Sequence, residues 1–259
     1  MNYTKWNMAW AALEWQAELG VSDAISESPI DRYRMSAEKP KPVALPAVSS
    51  PTIIAPLALD PIAVAEKLAE VALNLAELKQ ALKDFPHCDL QRGARNLVFN
   101  DGTVGARIMI LGEAPGREED LQGMPFVGPA GLLLDKMLAA IGLNRAKNVY
   151  IGTVIPWRPP QNREPKPEEI AMMMPFLRRH VALAAPEVLI CMGNTSCSAV
   201  LGKWGMAKLR GQWQEGLGLS VLPMVHPNVL MRQPAGKKQA WQDLLALKAW
   251  LNKHDAEKA

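Results

Sequence analysis

The chain has 259 residues, 49% hydrophobic and 21% charged, with a formal net charge of +3. That length accommodates one domain of about 150–200 residues plus an extension; no apolar run approaches the roughly 18 residues that span a bilayer; and so small a charge assigns no nucleic-acid partner by itself, because bulk charge speaks to non-specific attraction and not to chemistry. Three irregularly spaced cysteines, Cys88, Cys191 and Cys197, exclude a disulfide framework and, with an N-terminus lacking a cleavage site, predict a reducing, cytoplasmic setting.

The first 38 residues place Trp6, Trp10 and Leu13 at helical spacing, which predicts a short amphipathic helix, with a partner-binding helix as the alternative. Residues 39–61, KPKPVALPAVSSPTIIAPLALDP, contain six prolines and read as a linker. Asp60 and Pro61 then supply an N-cap and a first-turn residue. Val64, Leu68, Val71, Leu75, Leu78 and Leu82 follow in steps of four and three, a single stripe that predicts one amphipathic helix over 61–85 packed on the domain that follows. The stripe is under four heptads, too short to favour a coiled coil. The organisation expected is an extension and linker over 1–60, the helix over 61–85 and a catalytic-type domain over 86–259.

Beyond residue 86 four apolar runs read as strands: Arg107–Leu111, Asn148–Ile155, Val188–Met192 and Ser220–Val225. Helical stretches fall between and after them, at Gly131–Ile141, Pro167–Ala184, Asn194–Leu201 and Lys238–Lys253. Met172, Met173 and Met174 fit helix packing better than a cofactor site. Strands alternating with helices predict an α/β fold with a four-stranded parallel sheet flanked by helices. Ligands in such sheets sit at the carboxyl ends of the strands.

Those ends carry Gly112-Glu113-Ala114-Pro115-Gly116 with Glu118, Glu119 and Asp120 after it, then Gly152-Thr153 running into Trp157-Arg158-Pro159-Pro160-Gln161-Asn162-Arg163, then Gly193-Asn194, then His226-Pro227-Asn228-Val229-Leu230-Met231-Arg232. Each alone has an ordinary structural explanation: a tight turn, a hydrogen-bonding histidine, a rigid proline loop. Together they offer carboxylates, glycine-flanked amides, a histidine and arginines, a set suited to polar chemistry on a small planar or anionic group.

In content, order and spacing, the segments GEAPGREEDLQGMPFVGPAGLLLDKML, WRPPQNR, KLRGQW and HPNVLMRQP resemble the family 4 uracil-DNA glycosylases over about residues 86–252. The resemblance implies the uracil-DNA glycosylase fold and a pocket for a base flipped out of DNA, since the N-glycosidic bond cannot be reached inside a stacked duplex. It implies Glu113 as the carboxylate beside the sugar and attacking water, with Glu119 a second candidate, and His226 as hydrogen-bond donor to a uracil carbonyl. Glu118 and Asp120 are read as caps of the next helix. Phe126 falls where the family stacks a ring on uracil; Ala114, Gly116, Thr153 and Asn194 complete the substrate set. Leu230 or Met231 would wedge the duplex open, and Arg158, Arg163, Arg210 and Arg232 would hold phosphates.

Two departures stand out. The family's iron–sulfur cluster is held by four cysteines, and the corresponding positions here are Phe85, Cys88, Trp157 and Met173. Phe, Trp and Met supply no thiolate, so no cluster and no other metal is expected. Second, the family ends its second strand in Thr-Asn, the Asn reading uracil, where this chain has Gly152-Thr153. One hydroxyl offers less than an amide, so a broader set of deaminated bases is an alternative substrate. The expected partner is DNA containing uracil or a related deaminated base, met by a monomer away from membranes. The competing non-enzymatic reading is a DNA-binding or interaction protein on a weakened glycosylase fold.

Overall fold

The computed structural model describes residues 3–18 and 60–256, so the proline-rich stretch 39–59 lies outside the described residues. The chain divides into two compact units, Met1–Pro56 and Leu57–Ala259. In the first, helix α1 (Tyr3–Glu18) forms where the tryptophan spacing places it, with Met8, Trp10, Leu13 and Trp15 exposed.

The second unit opens with two helices where the stripe predicts one. Helix α2 (Pro61–Val71) starts at Asp60, whose Oδ1 accepts the Ile62 N–H at 3.0 Å. Helix α3 (Leu75–Asp84) starts afresh at Asn74. The Asn74 Oδ1 accepts the Glu77 N–H at 2.9 Å, and Glu77 Oε2 accepts the Leu73 N–H at 2.7 Å. These bonds satisfy two N–H groups at the start of α3, and the expected stripe breaks with the helix: Val71 is 69% exposed, while Ala65, Ala69, Ala72, Leu78 and Leu82 are buried. The Ala72 carbonyl at the break accepts from Arg179 Nε and Nη2 at 2.8 and 2.7 Å. Arg179 lies on α7 (Pro167–Ala184), preceded in the chain by α4 (Leu90–Gly93), α5 (Arg117–Gln122) and α6 (Pro129–Ala140).

The sheet has six strands: β1 (Asn100–Gly102), β2 (Ile108–Gly112), β3 (Val149–Thr153), β4 (Val188–Met192), β5 (Gln214–Gly216) and β6 (Leu219–Met224), in the order β1-β3-β2-β4-β6-β5. The inner four are parallel and are the four expected from sequence. β1 and β5 add antiparallel edges to a sheet expected to have four strands. Their sequences, NDG and QEG, have no apolar run and little strand propensity, so only pairing to β3 and β6 makes them strands.

β2, β3 and β4 are buried along their whole length. Strands covered on both faces need apolar residues at every position, which is why they read as continuous runs. Alternation then sorts the side chains into two layers. Met109, Leu111, Tyr150, Leu189 and Cys191 join one core with Leu78 and Leu82 of α3 and Phe176 and Leu177 of α7. Ile108, Ile110, Val149, Ile151 and Ile190 join the other with Leu134 and Leu138 of α6 and Leu244 and Leu247 of the C-terminal helix. Helices α8 (Asn194–Leu201), α9 (Met206–Leu209), α10 (Pro227–Arg232) and α11 (Lys237–Ala256) complete the unit. No helix among the described residues is long and apolar enough to cross a membrane.

Candidate active site

Parallel pairing brings the ends of β2, β3, β4 and β6 to one edge of the sheet, with Gly112 opposite Thr153 and Met192 opposite Met224. Beyond them lies a small open cavity of about 50 Å3. Seven of the residues expected from sequence line it: Glu113, Ala114, Gly116, Glu119, Phe126, Thr153 and His226.

Glu113 follows β2 directly, and its backbone carbonyl continues the ladder by accepting the Ile155 N–H at 3.0 Å. Its Oε1 accepts the Thr195 N–H at 2.9 Å, in the first turn of α8. A helix N-terminus presents free N–H groups, which orient a side-chain acceptor placed there. The approach depends on Gly193, which has φ +100°; a Cβ there would stand 2.5 Å from Glu113 Cδ.

His226 is the N-cap of α10. Its Nδ1 accepts the Asn228 N–H at 3.2 Å, which assigns the proton of the neutral ring to Nε2. Burial lowers its pKa to about 4, with Glu119 pulling the other way and Arg232 adding to the fall. The ring is therefore a neutral Nε2–H donor at physiological pH.

Phe126 is buried and stacks on His226, with ring centroids 5.4 Å apart and planes 23° from parallel. Its φ of +53° is a left-handed conformation, rare for a bulky residue. The ring also lies over Gly112, where a Cβ would come within 2.7 Å of Phe126 Cε2. Three side chains from distant parts of the chain thus converge through contacts that two glycines permit.

The remaining residues divide by what they already hold. Glu119 lines the cavity, but its Oε2 accepts the Gly116 N–H at 3.1 Å and its Oε1 the Gly128 N–H at 3.4 Å. It ties the two loops together, and it occupies the Gly116 N–H expected to meet substrate. Asp120, read as a cap, is buried and accepts the Arg95 and Asn96 N–H groups at 2.8 and 3.2 Å. The Thr153 hydroxyl donates to the Val98 carbonyl at 3.4 Å. Asn194 is displaced from its expected role: its Oδ1 accepts the Gly205 and Met206 N–H groups at 3.3 and 3.0 Å, supporting the start of α9. Asn228 was not singled out in sequence, yet it lines the cavity. Its signal was its place two residues after a histidine N-cap.

A model of the uracil DNA glycosylase superfamily matches residues 99–245. The chain belongs to this superfamily. It is 34% identical over 179 residues to a type-4 uracil-DNA glycosylase of Archaeoglobus fulgidus, an alignment covering 66% of this chain and 89% of the relative. The type-4 uracil-DNA glycosylase of Thermotoga maritima is 35% identical over 181 residues, covering 68% and 94%. That of Saccharolobus solfataricus is 33% identical over 189 residues, covering 69% and 87%.

Within this uracil DNA glycosylase fold, the residues expected to meet DNA are not equally placed. Arg232 and Met231 are exposed on α10, but Leu230 is 1% exposed and packs inward, so only Met231 of the two wedge candidates faces out. Arg210 is turned into a buried ion pair with Asp243 and donates to the Gln239 carbonyl at 2.6 Å, which removes it from the phosphate set. Arg163 grips both oxygens of Glu169, at 2.9 and 2.5 Å. Among the described residues, Arg158 bonds the side chain of Asn162, at 2.8 Å.

The four positions expected from sequence to match the cluster ligands, Phe85, Cys88, Trp157 and Met173, stand in one apolar core at 0–2% exposure. Phe85 packs edge-on against Phe176 at 5.3 Å. Burial raises the Cys88 thiol's pKa, so the one thiol among the four is held protonated. A single thiol in that setting does not fit an iron–sulfur cluster, and among the described residues no group of three or more His, Cys, Asp or Glu could hold a metal ion.

Proposed function

We propose that the protein is a DNA glycosylase that hydrolyses the N-glycosidic bond of uracil in DNA, acts as a monomer and uses no iron–sulfur cluster. The observation that carries this reading is the convergence of Glu113, Phe126 and His226 on one cavity at the strand ends.

Cleavage breaks the C1′–N1 bond, and its electron pair leaves with the base. Positive charge grows on the sugar and negative charge on uracil. Glu113 supports the first: Oε1 is anchored by Thr195, and Oε2, without a protein partner among the described residues, is available to the sugar and water. His226 supports the second, because its Nε2–H can bond a uracil carbonyl oxygen without itself carrying a charge. The Phe126 ring covers the base and excludes water. Water then adds to C1′, leaving an abasic site and, after protonation, free uracil.

Exposed Arg232, with Arg158, supplies the phosphate contacts that set register, and Met231 is the wedge. Thr153 offers the cavity at most a weak acceptor while its proton goes to Val98, so other deaminated bases are admitted less selectively than an asparagine would allow. The test is to incubate the protein with duplexes carrying one uracil, hypoxanthine or xanthine and then cleave abasic sites with alkali. Uracil release by the unsubstituted protein and not by Glu113→Gln is expected; equal release by both removes Glu113 from the mechanism, and no release from any duplex removes the enzymatic reading.

A further inference from the structure

The left-handed Phe126 needs something to keep it there. Backbone conformations this sparsely populated persist only where surrounding contacts over-determine them. Gly131 allows part of it, because a Cβ at that position would stand 1.7 Å from the Phe126 carbonyl oxygen. The rest comes from Arg145, in the loop between α6 and β3, a residue that no motif singled out.

The Arg145 side chain is 17% exposed and all three of its nitrogens are engaged. Nη2 donates to the Phe126 carbonyl at 3.0 Å and Nη1 to the Pro125 carbonyl at 3.4 Å. Nη1 also pairs with Asp101 of β1 at 2.7 Å, and Nε and Nη2 with Asp135 of α6 at 2.8 Å. The loop that carries it is itself pinned: the Arg145 carbonyl accepts the Thr103 hydroxyl at 3.3 Å, and Asn148 Oδ1 accepts the Asn144 N–H at 2.8 Å. A planar fork held by two carboxylates is rigid in a way that a lysine is not. The same arrangement gives the short edge strand β1 a purpose, since it delivers Asp101.

We propose that Arg145 is a positioning residue for base recognition, locking the Pro125–Phe126 backbone so that the Phe126 ring lies over Gly112 and beside His226. This rests on reading the cavity as the base site. Arg145 touches neither base nor sugar; it acts through Phe126.

The test uses the full chain with Arg145→Met, Arg145→Lys, Phe126→Ala and the Arg145→Met/Phe126→Ala double variant. Uracil excision is measured under single turnover, beside affinity for the duplex and thermal stability. Misplacing a group by about 1 Å can cost on the order of 100-fold in rate, so Arg145→Met should slow excision by roughly 10- to 100-fold. Duplex affinity should hold, because phosphate contacts carry it. Arg145→Lys should fall between, and the double variant should be no slower than Phe126→Ala alone, since residues acting as a unit are not additive. Losses that multiply in the double variant, or full-rate excision by Arg145→Met, overturn the inference. Should Arg145→Met not fold, Asp101→Asn removes one arm of the clamp and should show a smaller loss with the same non-additivity; a full rate there overturns it equally. Absence of uracil release by the unsubstituted protein would overturn the function reading along with this one, whereas release unaffected by Arg145 variants overturns this one alone.

Discussion

At the carboxyl ends of the strands, Glu113, Phe126 and His226 rely on close approaches that a single Cβ at Gly193 or Gly112 would abolish. Around Phe85, Cys88, Trp157 and Met173, the same domain is filled by side chains whose requirement is volume. The first region is held by directional contacts: an N–H on a carboxylate, an N–H on an imidazole, a left-handed phenylalanine. The second is held by burial, which has no direction. This difference allows apolar residues at three of the four positions expected to match cluster ligands while Glu113, Phe126 and His226 still converge on the cavity. Apolar sites tolerate exchange at roughly constant volume; a reaction centre tolerates little displacement.

Substitutions that separate rate from stability test that contrast most directly. His226→Ala should slow uracil excision by about 10²–10⁴-fold, the usual loss for a positioned proton donor or charge-stabilising group. Its duplex affinity should change little, because phosphate contacts are elsewhere. Single-turnover kinetics beside a binding titration decides this, and a wild-type rate would remove His226 from the chemistry.

Trp157→Ala should behave in the opposite way. Trp157 is 2% exposed in the apolar core, and truncating such a side chain costs about 3–5 kcal/mol. The denaturation midpoint should drop steeply, while excision at low temperature, where the variant stays folded, should keep its rate. A specific loss of activity without loss of stability would mean that the apolar region reaches into the reaction.

Acid titration sharpens the comparison through two histidines. Burial lowers the pKa of His180, which bonds the Tyr150 hydroxyl at 2.7 Å, to about 3, and that of His226 to about 4. In the unfolded chain both would take up a proton near the ordinary histidine value of about 6.5. Between that value and the folded ones the unfolded state binds more protons, so stability should fall as the pH drops through this window. The slope should reach at most about 1.4 kcal/mol per pH unit per histidine. Urea titrations from pH 7 to pH 4 check this, and His180→Gln should flatten the curve. Excision itself should show no inflection near pH 6.5, since His226 stays neutral there.

The smallest effect concerns base choice. Thr153→Asn should raise the preference for uracil over other deaminated bases by roughly tenfold, the worth of one net hydrogen bond of about 1.4 kcal/mol. Competition between uracil and hypoxanthine duplexes measures it. If Thr153→Asn matches the unsubstituted protein while Asn228→Ala loses discrimination, base reading belongs to Asn228.

Sequence alone determined the four inner strands, because strands buried on both faces must be apolar at every position. It also pointed to Glu113 and His226, because each stands just past the end of one of those strands, and to Phe126 through the segment that resembles the family. It marked the loss of three cluster thiolates, which follows from side-chain chemistry and not from geometry. Tertiary structure decided everything that depends on a partner far along the chain. The edge strands exist only by pairing with β3 and β6, and the 61–85 stripe breaks at Ala72, whose carbonyl accepts from Arg179, 107 residues away. Arg210 and Asn194 looked available for DNA and base until Asp243, 33 residues away, and the Gly205–Met206 amides engaged them. Arg145, featureless in sequence, gained its role because Asp101, Asp135 and the Phe126 carbonyl surround it in space. A hydrogen-bonding group declares its chemistry in the sequence, but which partner occupies it is settled only when the chain folds.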